Sequence, residues 1–320
     1  MAEKLRLGLY WAASCGGCEI AVLEIGEKVL DLVQVADIVF WPCVMDFKYD
    51  DVRAMPDGHI DVVLFNGAIR NSENESIARL LRQKCKVLVA FGSCAVEGGI
   101  PSLANLYDLE ALMARAYTES ESTDNPSATI PAPGNHVPEG EIELPKVYRT
   151  VRRLQDVVPV DYFMPGCPPT EKQIWAVLEA IVAGQLPPRG SHVGCGDRSV
   201  CDECKREKRQ VRIERFHRPH EFVPEDGWCL LEQGVVCVGS ATRSGCEARC
   251  IDANQPCRGC YGPAGKSIDQ GAATLSAVGS MVAADSIEKA EEILQGFVDP
   301  AGTVYRFGMS NSLLVRRLDE

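Results

Sequence analysis

The sequence predicts an α/β chain: an open, mostly parallel sheet with helices on both faces, followed by a mostly irregular, cysteine-rich segment. Three observations predict it. Strand-like and helix-like stretches alternate over the first half. Composition changes abruptly after Leu186-Pro-Pro-Arg-Gly190, which sets a boundary between residues 1–185 and 186–320. The 15 cysteines of the 320-residue chain fall into short-spaced groups rather than being scattered.

Each element has a local reason. Leu5–Trp11 is an apolar run that ends in Ala-Ala-Ser-Cys-Gly-Gly-Cys. Glu19–Leu32 carries Ile20, Leu23, Val29 and Leu30 at helical spacing and predicts one helix. Ala36–Trp41, Ile60–Phe65, Lys86–Phe91 and Val160–Met164 read as further strands, the second of the chain closed by Pro42 and the third by Asn66-Gly67. Ser72–Arg82 and Glu171–Ala183 read as amphipathic helices. Glu119–Glu143 is rich in Ser, Thr, Asn, Pro, Gly and Glu, and predicts a long surface excursion, at best partly ordered. Beyond residue 186, Cys, Arg, Gly and Pro dominate until Ala264–Ala284 and Ser286–Leu294, both candidate helices. A segment so poor in core residues needs another source of stability, which bound metal supplies.

The bulk numbers exclude several classes. A net charge of −12 argues against nucleic-acid binding, which needs a basic footprint. No run of about eighteen apolar residues predicts a membrane span. The N-terminus carries neither a signal-peptide core nor a twin-arginine leader, so the expected location is cytoplasmic. No Gly-rich nucleotide fingerprint supports NAD or flavin binding. In that setting many short-spaced cysteines point to metal or redox chemistry rather than disulfides.

Three cysteine motifs of the first half each follow a predicted strand: Cys15-Gly-Gly-Cys18, Gly92-Ser-Cys94-Ala-Val-Glu-Gly-Gly99 and Pro165-Gly-Cys167-Pro-Pro169. The C-terminal ends of parallel strands share one edge, where ligands bind. Cys15, Cys18, Cys94 and Cys167 are therefore expected to meet there and to complete a [4Fe–4S] centre. A tetrahedral zinc site fits four cysteines equally well. A thioredoxin-like dithiol at Cys15 and Cys18 leaves Cys94 and Cys167 unexplained. The second half has nine cysteines between positions 195 and 260. Two quartets can be drawn, Cys201, Cys204, Cys229 and Cys237, and Cys246, Cys250, Cys257 and Cys260, with Cys195 an alternative to Cys201. The spacing marks metal strongly and separates zinc from iron–sulfur only in part. Cys85 reads as a packed thiol, Cys43 as an ordinary one, and His192, His217 and His220 as loop residues. The basic run Lys205, Arg206, Lys208, Arg209, Arg212, Arg215 and Arg218 reads as a charge device for thiolates or a redox partner, or equally as a solvated face paired with Glu207 and Glu214.

The order of these motifs resembles the small subunit of [NiFe] hydrogenases over nearly the whole chain, and is most similar to the cytoplasmic, coenzyme-F420-non-reducing (methyl-viologen-reducing) type that works with heterodisulfide reductase in methanogenesis. The resemblance implies a flavodoxin-like first domain holding a proximal cluster on Cys15, Cys18, Cys94 and Cys167, and a ferredoxin-like second domain. It implies a distal cluster on Cys201, Cys204, Cys229 and Cys237, where Cys201 replaces the family's histidine. It implies a medial cluster on Cys246, Cys257 and Cys260. Relatives with a [3Fe–4S] medial centre lack a fourth cysteine; here Cys250 implies [4Fe–4S]. The implied role is a wire from H2 cleavage on a nickel-bearing large subunit to a further redox partner, with no catalytic residue on this chain. Two alternatives remain at this point. One is the related small subunit of complex I-like dehydrogenases, which carries an adjacent Cys-Cys pair and no such tail; the other is a zinc-stapled interaction protein.

Overall fold

The computed structural model describes residues 4–314. Its first half contains β1 (Leu5–Trp11), β2 (Ala36–Phe40), β3 (Ile60–Asn66), β4 (Ile69–Asn71), β5 (Cys85–Phe91), β6 (Gly134–Val137), β7 (Gly140–Glu143), β8 (Val147–Arg152) and β9 (Tyr162–Met164). Interspersed are helices α1 (Gly17–Leu23), α2 (Lys28–Val35), α3 (Tyr49–Ala54), α4 (Ser72–Lys84), α5 (Ser93–Glu97), α6 (Leu109–Tyr117) and α7 (Glu171–Val182).

The central sheet has five strands in the order β2-β1-β3-β5-β9, every pair parallel. Ranked along the chain this is the order 2-1-3-4-5 of flavodoxin-like sheets. Strand periodicity divides the side chains between two cores. Leu7, Leu9, Leu64, Val89 and Phe91 pack under α1, α2 and α7 through Val22, Leu32 and Ile174. Tyr10, Val63, Phe65, Leu88 and Ala90 face α3, α4 and α5 through Val52, Ile77 and Val96. Both faces are covered, as an all-parallel sheet requires.

Two expectations change. The single helix expected over Glu19–Leu32 is two helices, because Gly26 adopts φ +67° and ends the first. The polar excursion over Glu119–Glu143 contains an antiparallel hairpin of β6 and β7, almost wholly exposed, whose backbone pairing needs no apolar face. The strand after it was not anticipated either: β8 returns beside β4 as a small antiparallel pair.

Beyond Gly184 regular structure is sparse. Helix α8 (Arg249–Asp252) is a single turn, followed by α9 (Gln270–Met281), α10 (Ile287–Leu294) and α11 (Pro300–Val304). Asp269 caps α9 by accepting from the N–H of Ala272, and Ser286 caps α10 by accepting from that of Lys289. Two small apolar clusters carry this region. One joins Ile213, Phe216, Val278 and Ile293, and the other Val200, Leu230, Val238 and Ile251. Cys257 belongs to the second cluster, and Cys204, Cys237 and Cys246 pack against it. Thiols therefore stand where a larger core would place aliphatic side chains. Among the described residues no helix is long and apolar enough to cross a membrane.

Candidate metal centres

The first cysteine group lies at the C-terminal edge of the sheet. Cys15 lies in the β1–α1 turn and Cys18 in the first turn of α1, Cys94 in the first turn of α5 after β5, and Cys167 in the segment after β9. The ends of β5 and β9 are stitched together where the N–H of Gly92 donates to the carbonyl of Met164 (2.8 Å) and that of Ser93 to Gly166 (2.7 Å). Gly92 lies at φ +83° and ψ 162°, a conformation open essentially only to glycine. A Cβ added there would stand 2.3 Å from Cys18 Sγ, so the backbone of one motif is pressed against the thiol of another.

These four thiols act on one another. Burial pushes the Cys18 thiol far up, and the neighbouring Cys94, Cys167 and Cys15 push it further. Burial, then Cys167 and Cys15, raise Cys94 to about 12. Thiols that repel one another's charge in this way would be relieved by coordination to iron, since a coordinating thiol is deprotonated outright. The buried Ser93 hydroxyl, adjacent in sequence to Cys94, has no hydrogen-bond partner among the described residues. Donor chemistry, glycine cradle and unmatched hydroxyl fit an iron–sulfur cluster.

The second group surrounds a cavity of about 330 Å³, lined by Cys246, Cys250, Cys257 and Cys260. Cys167 of the first group lines the same cavity. Two consecutive non-glycine residues just after Cys246, Glu247 (φ +57°) and Ala248 (φ +54°), are left-handed; burial raises the Cys246 thiol and the backbone of Ala248 draws it down. Burial raises Cys257 and Cys260 to about 12.

In the third group, burial raises the Cys201 thiol and Lys208 draws it down, with Cys229 and Cys204 as the nearest thiols. Cys237 faces both ways. Its strongest charged neighbour is Cys257, followed by Cys201. A Cβ on Gly239 would lie 3.6 Å from Cys237 Sγ and 3.7 Å from Cys201 Sγ.

The groups are linked in series. Cys167 and Cys260 line one cavity, and the backbone of Cys167 draws the raised Cys260 thiol down, so the first group adjoins the second. The N–H of Cys257 donates to Cys237 Sγ at 3.3 Å, joining the second to the third. Gln173 braces the first junction: its amide donates to Pro165 O (2.9 Å) and its carbonyl accepts from Tyr261 Oη (2.7 Å). Among the described residues no group of three or more His, Cys, Asp or Glu is gathered tightly enough for a single metal ion.

The remaining cysteines stand apart. Cys195 is influenced by burial, Arg243 and Asp197 rather than by another cysteine. Cys85 is buried in the sheet core, and Cys43 is exposed. His192 lies against Phe163 and His217 stacks on Phe222.

The basic run divides by residue. Arg206 is a buried clamp that donates to the carbonyls of Trp228 (2.9 Å), Ile251 (3.1 Å) and Glu225 (3.3 Å) and to Asn254 Oδ1 (2.8 Å). Arg209 pairs with Glu207 and Glu225 on the surface and lies over Trp228.

Two buried acids beside the first group were not anticipated. Glu19, next to Cys18, accepts a hydrogen bond from Trp41 Nε1. Glu97 accepts from Asn311 Nδ2 (2.7 Å) and ties the first half to the second. A Glu inside the Gly-Ser-Cys-Ala-Val-Glu-Gly-Gly run, flanked by apolar and small residues, was the available signal. Burial pushes the Glu97 carboxyl up to about 7, against Arg153, Asn311 and Arg243. The folded chain holds this proton more tightly than the unfolded one. Its stabilising contribution is thus complete below the unfolded pKa of about 4.3 and lost as pH rises through about 7. We expect Glu97→Gln to abolish about 3 kcal/mol of pH-dependent stability between about pH 5 and 8, read by anaerobic thermal melts. Parallel melting curves for the two proteins would show that this carboxyl does not titrate there.

Comparison with known proteins agrees with this geometry. Residues 15–181 match the family described as NADH ubiquinone oxidoreductase, 20 Kd subunit. The chain is 39% identical to the iron–sulfur subunit of the F420-non-reducing hydrogenase of Archaeoglobus profundus, covering 98% of this chain and 99% of that protein. It is 36% identical to a subunit of the F420-non-reducing hydrogenase of Methanothermobacter marburgensis, covering 99% and 98%. Among solved structures, a chain of an NAD+-reducing [NiFe]-hydrogenase in the H2-reduced state superposes with TM-score 0.50 and 30% identity, over 58% of this chain and 94% of that one. The family match spans the first cysteine group alone, whereas the two archaeal relatives extend through the cysteine-rich tail. The chain therefore belongs to the NADH ubiquinone oxidoreductase 20 Kd subunit family and, within it, to the [NiFe] hydrogenase small subunits, beside those of F420-non-reducing hydrogenases.

Proposed function

We propose that this chain is the electron-transferring small subunit of a cytoplasmic [NiFe] hydrogenase, built as a flavodoxin-like unit (1–185) and a ferredoxin-like unit (186–320). Bound to the three quartets, [4Fe–4S] clusters would carry single electrons from H2 oxidation on a large subunit to a further redox partner, a heterodisulfide reductase complex. Cys15, Cys18, Cys94 and Cys167 hold the proximal centre. Cys246, Cys250, Cys257 and Cys260 hold the medial one, and Cys201, Cys204, Cys229 and Cys237 the distal one. The observation that carries this reading is the series of adjacent quartets: Cys167 of the first lines the cavity of the second, and the N–H of Cys257 in the second donates to Cys237 Sγ in the third. Such hydrogen bonds also set the potential of the thiolates they touch.

Exposed apolar side chains support a docked large subunit at the proximal edge. Trp11 ends β1, Ile20 and Leu23 project from α1, and Val44 and Met45 follow β2. The nickel site would then reside on that partner.

Anaerobically purified protein should be brown, contain about twelve irons per chain and co-purify with a nickel-containing larger subunit. Cys204→Ser should alter the EPR signal of the outer cluster and leave the proximal signal intact. Colourless protein with stoichiometric zinc would overturn the electron-transfer reading, and loss of the proximal signal in the variant would overturn the grouping.

A further inference from the structure

We propose that a second cavity, beside the medial and distal thiols, is a phosphate site, taking either free phosphate or the phosphate of a mononucleotide. The cavity measures about 360 Å³ and lies between the turn at 217–220 and the loop following α10. Arg218, Arg258 and Arg306 converge on it, with His217 and His220. In a chain of net charge −12 such a concentration of positive charge is unusual.

Among the described residues none of the three guanidinium groups has a hydrogen-bond or ion-pair partner. In this region Arg206, Arg209 and Arg249 are paired, whereas the exposed Arg198, Arg212 and Arg215 also lack a partner among the described residues but do not line this cavity. Arg258 and Arg306 are both half-buried and line the same cavity. Two partly desolvated like charges facing each other across a cavity are costly without an anion between them.

The charge balance selects the ligand. Asp299 supplies the one carboxylate in the lining and already accepts from the N–H of Gly302 (3.0 Å), so it caps α11. Three guanidinium groups against one carboxylate leave a net charge of +2 with neutral histidines. Phosphate, at about −1.5 to −2 near pH 7, matches this, whereas a single carboxylate leaves half of it uncompensated. Arginine forks suit its oxygens, and the apolar wall of Val235 and Phe297 shields the interaction from water.

The consequence rests on the cluster assignment above. Arg258 stands between Cys257 and Cys260 in sequence, so its positive charge sits beside two assigned ligands. Phosphate here would cancel that positive field and make the nearby centres harder to reduce. The site would thus couple phosphate to electron flow.

The test uses the intact, iron-loaded complex at about 0.15 M salt, where non-specific attraction is screened. Inorganic phosphate and AMP are titrated by calorimetry, and the cluster midpoint potentials are recorded with and without phosphate. We expect saturable binding of phosphate, of AMP or of both, the tighter one naming the source. Arg306→Gln and the exposed Arg218→Gln should each weaken it at least tenfold, and the negative shift in potential should vanish with the binding. Absence of saturable binding to either anion, or binding unchanged in both variants, would overturn the proposal. Iron content measured on the same samples separates this result from failure of the cluster assignment.

Discussion

Gly92→Ala should strip the first site of its metal. The new Cβ would stand 2.3 Å from Cys18 Sγ, well inside contact distance, in a conformation that side-chain-bearing residues avoid. Cys18 is buried and has no room to withdraw. Iron should fall by about a third, to about eight per chain, and H2-dependent reduction of the remaining centres should cease. The backbone alone should cost about 1–3 kcal/mol. Gly140→Ala is the control. Gly140 also has positive φ, +138°, but nothing lies within 4 Å of its added Cβ, so that variant should keep all its iron. Full iron content in Gly92→Ala would mean that the cysteines do not share a cofactor at this edge.

Arg206→Met should release the metal of the second and third groups together. The guanidinium, only 6% exposed, holds the carbonyl of Trp228, adjacent to Cys229, and that of Ile251, adjacent to Cys250. One side chain therefore fixes the spacing of two cysteine-bearing segments that share little regular structure. Its loss leaves several half-buried carbonyls without donors, at a cost of about 3–5 kcal/mol. Lysine should not rescue it, because a single ammonium cannot span acceptors that the planar fork reaches from two sides. Anaerobic melting and iron analysis would measure both effects. Arg209→Ala, which removes exposed pairs and a contact with Trp228, should cost no more than about 1 kcal/mol and release no iron. Equal behaviour of the two variants would refute the clamp.

The sheet and the first site were legible in the sequence because both depend on local patterns. Alternating apolar residues marked the strands, and each motif followed a strand end, so the parallel topology alone brought Cys15, Cys94 and Cys167 to one edge. The helix expected over Glu19–Leu32 failed at Gly26, since a single left-handed residue does not disturb apolar spacing. The hairpin of β6 and β7 was hidden because its stability comes from backbone pairing within a polar segment. In the second half the cysteines identified themselves, but their connections did not. The link from Cys257 to Cys237 runs through a backbone N–H, which no side-chain pattern encodes. Arg206 looked like one more surface charge in a basic run. Only the fold reveals that its stem is buried and its charge faces carbonyls. The pairing of Glu97 was equally invisible, although the residue stood out in its small-residue run, because its partner Asn311 lies 214 positions away.

The parallel sheet also dictates when each site can come into being. Hairpin neighbours meet early, but every contact of the five-stranded sheet is made by a crossover, and Cys15 and Cys167 stand at opposite ends of this succession. Closing so long a loop is entropically the slowest kind of event for a folding chain. Until β9 docks beside β5, the first quartet has three members rather than four. The cysteines of the two proposed later quartets lie within one shorter stretch of chain, from Cys201 to Cys260, so their mutual contacts close shorter loops. Topology thus imposes an order on the proposed sites: the sheet edge that gathers Cys15, Cys94 and Cys167 is completed only when the last strand docks.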